Sequence, residues 1–89
     1  MFEGLMIVPI VNLNGDKRDV LLTELTDIRE KLNAAIQALQ NSQYVNGRNY
    51  QLNPAGEGRE AYEQHSERVH TLERIAHELL EIQYEVSQQ

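Results

Sequence analysis

Apolar residues recur at helical spacing in two long segments of this chain, and the interval between them is polar. In the first segment Leu21, Leu25, Ile28, Leu32, Ala35 and Leu39 are spaced 4, 3, 4, 3 and 4, the a/d seam of a helix that packs along another helix. Leu22 and Ile36 widen that stripe on one side, as on a globular packing face. The second segment carries two overlapping stripes. One runs Tyr62, His65, Val69, Leu72, Ala76, Leu79, and the other Arg68, Leu72, Ile75, Leu79, Ile82, Val86. A single partner helix buries one seam, so two seams on one helix call for two partners. The first is the antiparallel helix of the same hairpin. The second is a neighbouring subunit, or the N-terminal arm folded over. The expected fold is therefore all-α: an antiparallel two-helix hairpin with helices over about 16–42 and 57–87, a loop over 43–56, and an arm over 1–15. Helices of this length are roughly 40 Å long at 1.5 Å per residue, long and thin for a monomer, so a homo-oligomer is expected.

Local signals place the boundaries. Asn14 or Asp16 can cap the first helix, with Asp16 and Asp19 favourable at the positive end of its dipole. Lys17 and Arg18 sit against that dipole, either solvated or awaiting an anion. In the connection, Asn46-Gly47 signals a turn and Asn53-Pro54 stops regular structure. The loop is long for a helix–helix connection, and its two tyrosines and one arginine argue against plain disorder. In the arm, the apolar run Leu5 to Val11 contains Pro9 and β-branched residues. That permits a short strand, an extended arm or a short helix.

Composition narrows the function. A chain of 89 residues makes one small domain, which buries a limited fraction of its surface and needs a staple. With no cysteine, neither a disulfide nor a thiolate metal site supplies it, leaving self-assembly as the common solution. The net charge of −6 disfavours holding DNA or RNA polymers through phosphates, which needs a basic face. A small anionic ligand needs only two or three placed donors. The arm is too short for a membrane span, and Glu3 stands where a signal peptide wants a cation. A cytoplasmic protein with no membrane partner is expected.

Candidate chemistry is sparse. Ser66 follows His65 directly, so on a helix the two side chains point about 100° apart and do not form a nucleophile–base pair. Gly56-Glu57-Gly58 falls short of a phosphate-loop fingerprint. His70 and His77 are two turns apart, and His77 with Glu81 gives only two ligands, short of a metal site. The expectation is a binder, not an enzyme, with no metal and no cofactor. His65 and Arg68 stand out because they interrupt apolar stripes near the loop. Either His65 hydrogen-bonds a loop carbonyl and Arg68 pairs with a glutamate or snorkels out, or the stripes open there into a polar pocket at a subunit junction. In that second case Arg68 supplies fork-geometry donors to phosphate. Arg48, Asn49 and Tyr50 form a second candidate group: an anion grip, a base-edge reader or loop cap, and a stacking or gap-filling ring.

Taken together, Asn12-Leu13-Asn14-Gly15, Leu21-Leu22, Ala38-Leu39, Asn46-Gly47-Arg48-Asn49-Tyr50, and then Ala61, Glu63, His65, Arg68, Leu72, Glu78 and Leu79 resemble the hairpin domain shared by phage sponge proteins of the anti-CBASS and Thoeris anti-defence kinds. The resemblance runs from about Val11 to Val86. Its most specific parts are the Asn-Gly-Arg-Asn-Tyr loop and the His65-x-x-Arg68 step. It implies a non-enzymatic protein in the cytoplasm of an infected bacterium, one that sequesters cyclic nucleotide immune signals without cleaving them. It further implies a six-subunit assembly with ligands held between subunits: cyclic dinucleotides, cyclic trinucleotides or cyclic ADP-ribose isomers. By position, Arg48, Asn49, Tyr50, His65 and Arg68 carry over as binding residues, with Asn46 and Asn14 as further candidates. Lys17 and Arg18 are added from the helix-dipole argument alone.

Two features depart from the family pattern. The portion before the hairpin is short, which favours the anti-CBASS kind. The loop reads Arg-Asn-Tyr where Arg-Asp-Tyr is expected, and Asn49 removes a charge that would repel phosphate or pair with Arg48. Two other functions compete. One is a helical-hairpin structural or protein-interaction module that takes no small ligand. The other is an enzyme that cleaves the signal, which would need a general base or a metal.

Overall fold

The computed structural model describes residues 6–89. The expected arm includes Glu3 and Leu5, which lie outside the described residues. Among the described residues the chain is helical with no strand: α1 spans Arg18–Gln40, a 3₁₀ turn spans Gly47–Tyr50, and α2 spans Glu57–Ser87. The two helices pack against each other as an antiparallel hairpin. Arg18, at the start of α1, reaches Gln89 beyond the end of α2, and Gln83 near that end meets Thr26 and Arg29.

The start of α1 differs from the expected capping. Lys17 is the N-cap, in extended backbone, and no side chain caps the helix. Neither Asn14 nor Asp16 does so, because the helix begins later than either could serve. Asn12 closes the turn preceding it, its side chain accepting from the Asn14 N–H at 2.9 Å and donating to the Ile10 carbonyl at 3.0 Å. The Val20 and Leu21 N–H groups bond to the Lys17 carbonyl instead.

On α1 the seam is rotated somewhat from the one read along the sequence. The residues turned inward there are Leu21, Leu22, Leu25, Thr26, Arg29, Leu32, Ile36 and Leu39, with Ile36 buried. Ile28 and Ala35 are exposed. On α2 the inward residues are His65, Val69, Leu72, Ala76, Leu79, Gln83 and Val86, while Tyr62 is exposed. Both stripes thus include polar residues, and Arg29 of α1 faces Gln83 of α2. Arg29 Nη1 donates to Gln83 Oε1 at 2.9 Å, and Gln83 Nε2 donates to Thr26 Oγ1 at 2.7 Å. Mutual hydrogen bonding allows a seam position that hydrophobicity alone assigns to Ile28.

The rotation leaves a second face open. Ile28 and Ala35 on α1, and Arg68, Ile75 and Ile82 on α2, each stand one residue before a seam residue, about 100° around the helix. Because the helices are antiparallel, both sets turn to the same side. Ile28 is 42% and Ile75 40% exposed. The described part of the arm does not cover them. Met6 and Val8 instead line a groove with Leu80, Glu81, Tyr84 and Glu85, and the arm is extended without helix. Among the described residues, the arm from residue 6 on therefore packs elsewhere than on this stripe.

The shape matches a small core. Ile36, Val69 and Val86 are the buried apolar residues among those described. The radius of gyration is 18.3 Å, against ~12 Å for a compact domain of this length. The accessible surface is 7016 Å², against roughly 5,400 Å² for a folded monomer of this mass, an excess of about 1,600 Å².

Candidate functional site

The longer helix explains the long loop. α2 has 31 residues and α1 has 23, so the first turns of α2 project beyond the end of α1. The connection from residue 41 to 56 folds back over that projection and supplies the contacts α1 cannot. Gly58 permits it: a Cβ there would come within 3.3 Å of Tyr50 Cβ, so a glycine lets the 3₁₀ turn lie close on α2. Gly56 begins α2 at φ 92°, a conformation that favours glycine.

His65 is buried at this junction, 6% exposed. Its Nδ1 lies 2.8 Å from the Tyr44 hydroxyl, and the two rings meet edge to face with centroids 5.3 Å apart. The plain structural account expected a loop carbonyl as its partner. The partner is a loop side chain instead, 21 positions away, with no signal in the local sequence. His65 Nε2 has no hydrogen-bond partner, yet Arg29 Nε is the one sealed and unpartnered side-chain atom among the described residues. Nε2 therefore reaches solvent, through the cleft of about 230 Å³ that His65 lines.

Arg68 opens elsewhere. It is exposed and lines a largely apolar groove with Leu39, Glu67, Thr71 and Leu72, whereas the His65 cleft holds Ser66 and His70. Within one chain His65 and Arg68 line different clefts; the pocket expected for them lies at a subunit junction. The two side chains stand about 60° apart on α2: His65 goes into the seam, and Arg68 stays at its edge, exposed. Among the described residues Arg68 forms no ion pair; those present are Arg18–Asp19, Lys31–Asp27 and His77–Glu81.

The loop triplet divides its work. Asn46 caps the 3₁₀ turn, its Oδ1 accepting from the Arg48 N–H at 3.0 Å. Asn49 Nδ2 donates to the Gln43 carbonyl at 2.9 Å and ties the loop to itself. Tyr50 is half-buried against α2. Asn46, Asn49 and Tyr50 thus build the loop; Arg48 is exposed, as are Asn46 and Asn49, but its side chain makes no hydrogen bond among the described residues.

Asn14, Lys17 and Arg18 lie at the other end of the hairpin. The 23 residues of α1 separate them from the loop group by about 35 Å at 1.5 Å per residue. Nine candidate residues therefore form two groups that no single small ligand spans on one chain. Arg18 is also engaged: Nη1 donates to the Gln89 carbonyl at 2.9 Å. The Gln89 side chain grips the arm on both sides of Ile10, accepting from the Val11 N–H and donating to the Pro9 carbonyl, each at 2.7 Å. Arg18 thus belongs to a clasp that closes the hairpin's open end, while its side chain stays half exposed. Lys17 and Asn14 remain exposed there.

Among the described residues no three of His, Cys, Asp and Glu stand close enough to hold a metal ion. No helix of the described residues is long and apolar enough to cross a membrane. The chain matches no protein-family model, no curated protein sequence and no solved structure.

Proposed function

We propose that this protein is a phage-encoded sponge. It captures cyclic nucleotide immune signals between copies of itself and holds them without cleavage, blocking CBASS-type defence in the host cytoplasm. The observation that carries this reading is the open apolar face: the line through the exposed Ile28 and Ile75 and the half-buried Ile82 ends at Arg68, an exposed guanidinium beside an apolar groove. A second copy seated on that face removes apolar surface from water. The excess of about 1,600 Å² per chain is of the size that obligate interfaces consume. The same contact would partly desolvate Arg68, where a bidentate grip on phosphate is strongest. Arg48, exposed at the loop tip, is placed to add a second cation from the same or a neighbouring subunit. The resemblance of the Asn46–Tyr50 loop and the His65-x-x-Arg68 step supplies the ligand class and the six-subunit expectation.

The test is depletion. Purified protein is incubated with a panel of cyclic dinucleotides, cyclic trinucleotides and cyclic ADP-ribose isomers, each free ligand is followed by chromatography, and bound ligand is released by heating. Selective depletion with intact recovery supports the sponge. Depletion with products recovered makes the protein an enzyme. No depletion of any member leaves a hairpin that engages a protein partner through its loop and open face.

A further inference from the structure

The cleft beside His65 belongs to a different side of α2 from the Arg68 groove, and its lining has a distinct chemistry. It lies where the loop leaves α1, between Ser42 and Val45 on one wall and the early turns of α2 on the other. Val45 and Val69 are its apolar part. Tyr62 stands at its edge, 58% exposed. The polar groups are Gln40, Ser42, whose Oγ donates to the Leu39 carbonyl, Ser66 and the two imidazoles of His65 and His70. No arginine, lysine, aspartate or glutamate lines it. His65 is more than nine-tenths buried, with Nδ1 held by Tyr44 and Nε2 open to the cleft. Ser66, the next residue, is half-buried, and its Oγ likewise makes no hydrogen bond among the described residues.

We propose that this cleft is a ring-binding subsite: it takes one flat, neutral heteroaromatic ring, stacked on Tyr62, with its hydrogen-bonding edge on His65 Nε2 and Ser66 Oγ. Three observations lead there. The lining carries hydrogen-bond donors and acceptors together and has no arginine or lysine, which suits a ring edge that presents both. The volume of about 230 Å³ is below the ~300–1,000 Å³ of sites for drug-sized ligands, so it admits a ring system and excludes a whole cyclic oligonucleotide. An exposed tyrosine beside a polar cleft offers the π-face on which bases stack. Tyr44 sets the geometry by fixing the imidazole, so the open nitrogen points to one place. The source of the ring, a nucleobase of the captured signal, rests on the sponge reading; the subsite itself does not.

The experiment follows the histidine ring signals of the full chain by NMR during titration with adenosine, guanosine and, separately, inorganic phosphate. Assignment uses His70→Gln and His77→Gln. The expected result is a saturable shift of the His65 signals with at least one nucleoside and none with phosphate. Tyr62→Ala, at an exposed position, should weaken that binding by roughly 5- to 150-fold, the range for loss of one stacked base, while Tyr62→Phe retains it. No saturable His65 shift with either nucleoside overturns the inference, as does equal affinity in Tyr62→Ala or a response to phosphate alone. Repeating the cyclic nucleotide depletion with Tyr62→Ala separates the two proposals. If wild type and variant deplete the same ligand equally, the sponge stands and the subsite falls. If nucleosides bind but no cyclic nucleotide is depleted, the subsite stands and the sponge falls.

Discussion

Replacing Gln83 with alanine probes the centre of the hairpin. Gln83 accepts from Arg29 Nη1 at 2.9 Å and donates to Thr26 Oγ1 at 2.7 Å, while Arg29 Nε is already sealed without a partner. Gln83→Ala removes one charge-assisted and one neutral hydrogen bond and leaves the guanidinium with a further unmet donor inside the seam. A bond to a charged group is worth about 1.5–3 kcal/mol and a neutral one about 0.5–1.5 kcal/mol. Both bonds are part-buried, so the lower halves of these ranges apply, and the expected loss is about 2–3 kcal/mol. For a domain of this size that lowers Tm by roughly 10–20 °C. Replacing both partners, Arg29→Leu with Gln83→Leu, exchanges the polar layer for an apolar one and should recover or exceed wild-type stability. Urea and thermal denaturation at one fixed protein concentration measure the cycle, since stability of a self-associating chain depends on concentration. A Gln83→Ala loss below about 0.5 kcal/mol would refute the assignment of this pair to the seam, as would a double variant no more stable than the single.

Other substitutions separate folding from assembly and binding. Ile75→Glu or Ile82→Glu places a charge on the open face, so it should reduce the assembly to smaller species by burying an unpaired charge at the contact; an unchanged elution volume in size-exclusion chromatography would assign that face to something other than self-contact. Arg68→Ala should weaken cyclic nucleotide depletion by about 10- to 100-fold, the worth of a charge-assisted grip, while leaving oligomer size unchanged. Gly56→Ala should cost about 1–2 kcal/mol because its φ of 92° is strained for a residue with a Cβ. Gly47→Ala, where nothing lies within 4 Å, should change stability by less than about 0.5 kcal/mol; comparing the two melts decides which glycine the loop requires.

Much of this architecture is written in local pattern. The 3.5-residue recurrence of leucine and isoleucine established two helices, and α2 spans Glu57–Ser87, where the periodicity placed it. The length of the loop and the doubled stripe on α2 were visible without coordinates, because exposed apolar surface on a helix is a property of spacing alone. The stripe of α2 that turns to α1 was legible too, but the rotation of α1 was not. Hydrophobicity ranks Ile28 above Arg29 as a seam residue, yet a seam is chosen by both helices at once, and Gln83 and Thr26 make Arg29 acceptable there. The candidate site divides in the same way. Arg48 and Arg68 could be picked out as cations in unusual places, and both stand exposed. Tyr44 could not be linked to His65, nor Gln89 to Arg18, because contacts across 21 and 71 positions leave no trace in local spacing. Helix formation is a nearest-neighbour property, legible one turn at a time. The placing of a loop side chain or a chain end depends on where the whole hairpin brings it, and only the tertiary structure decides that.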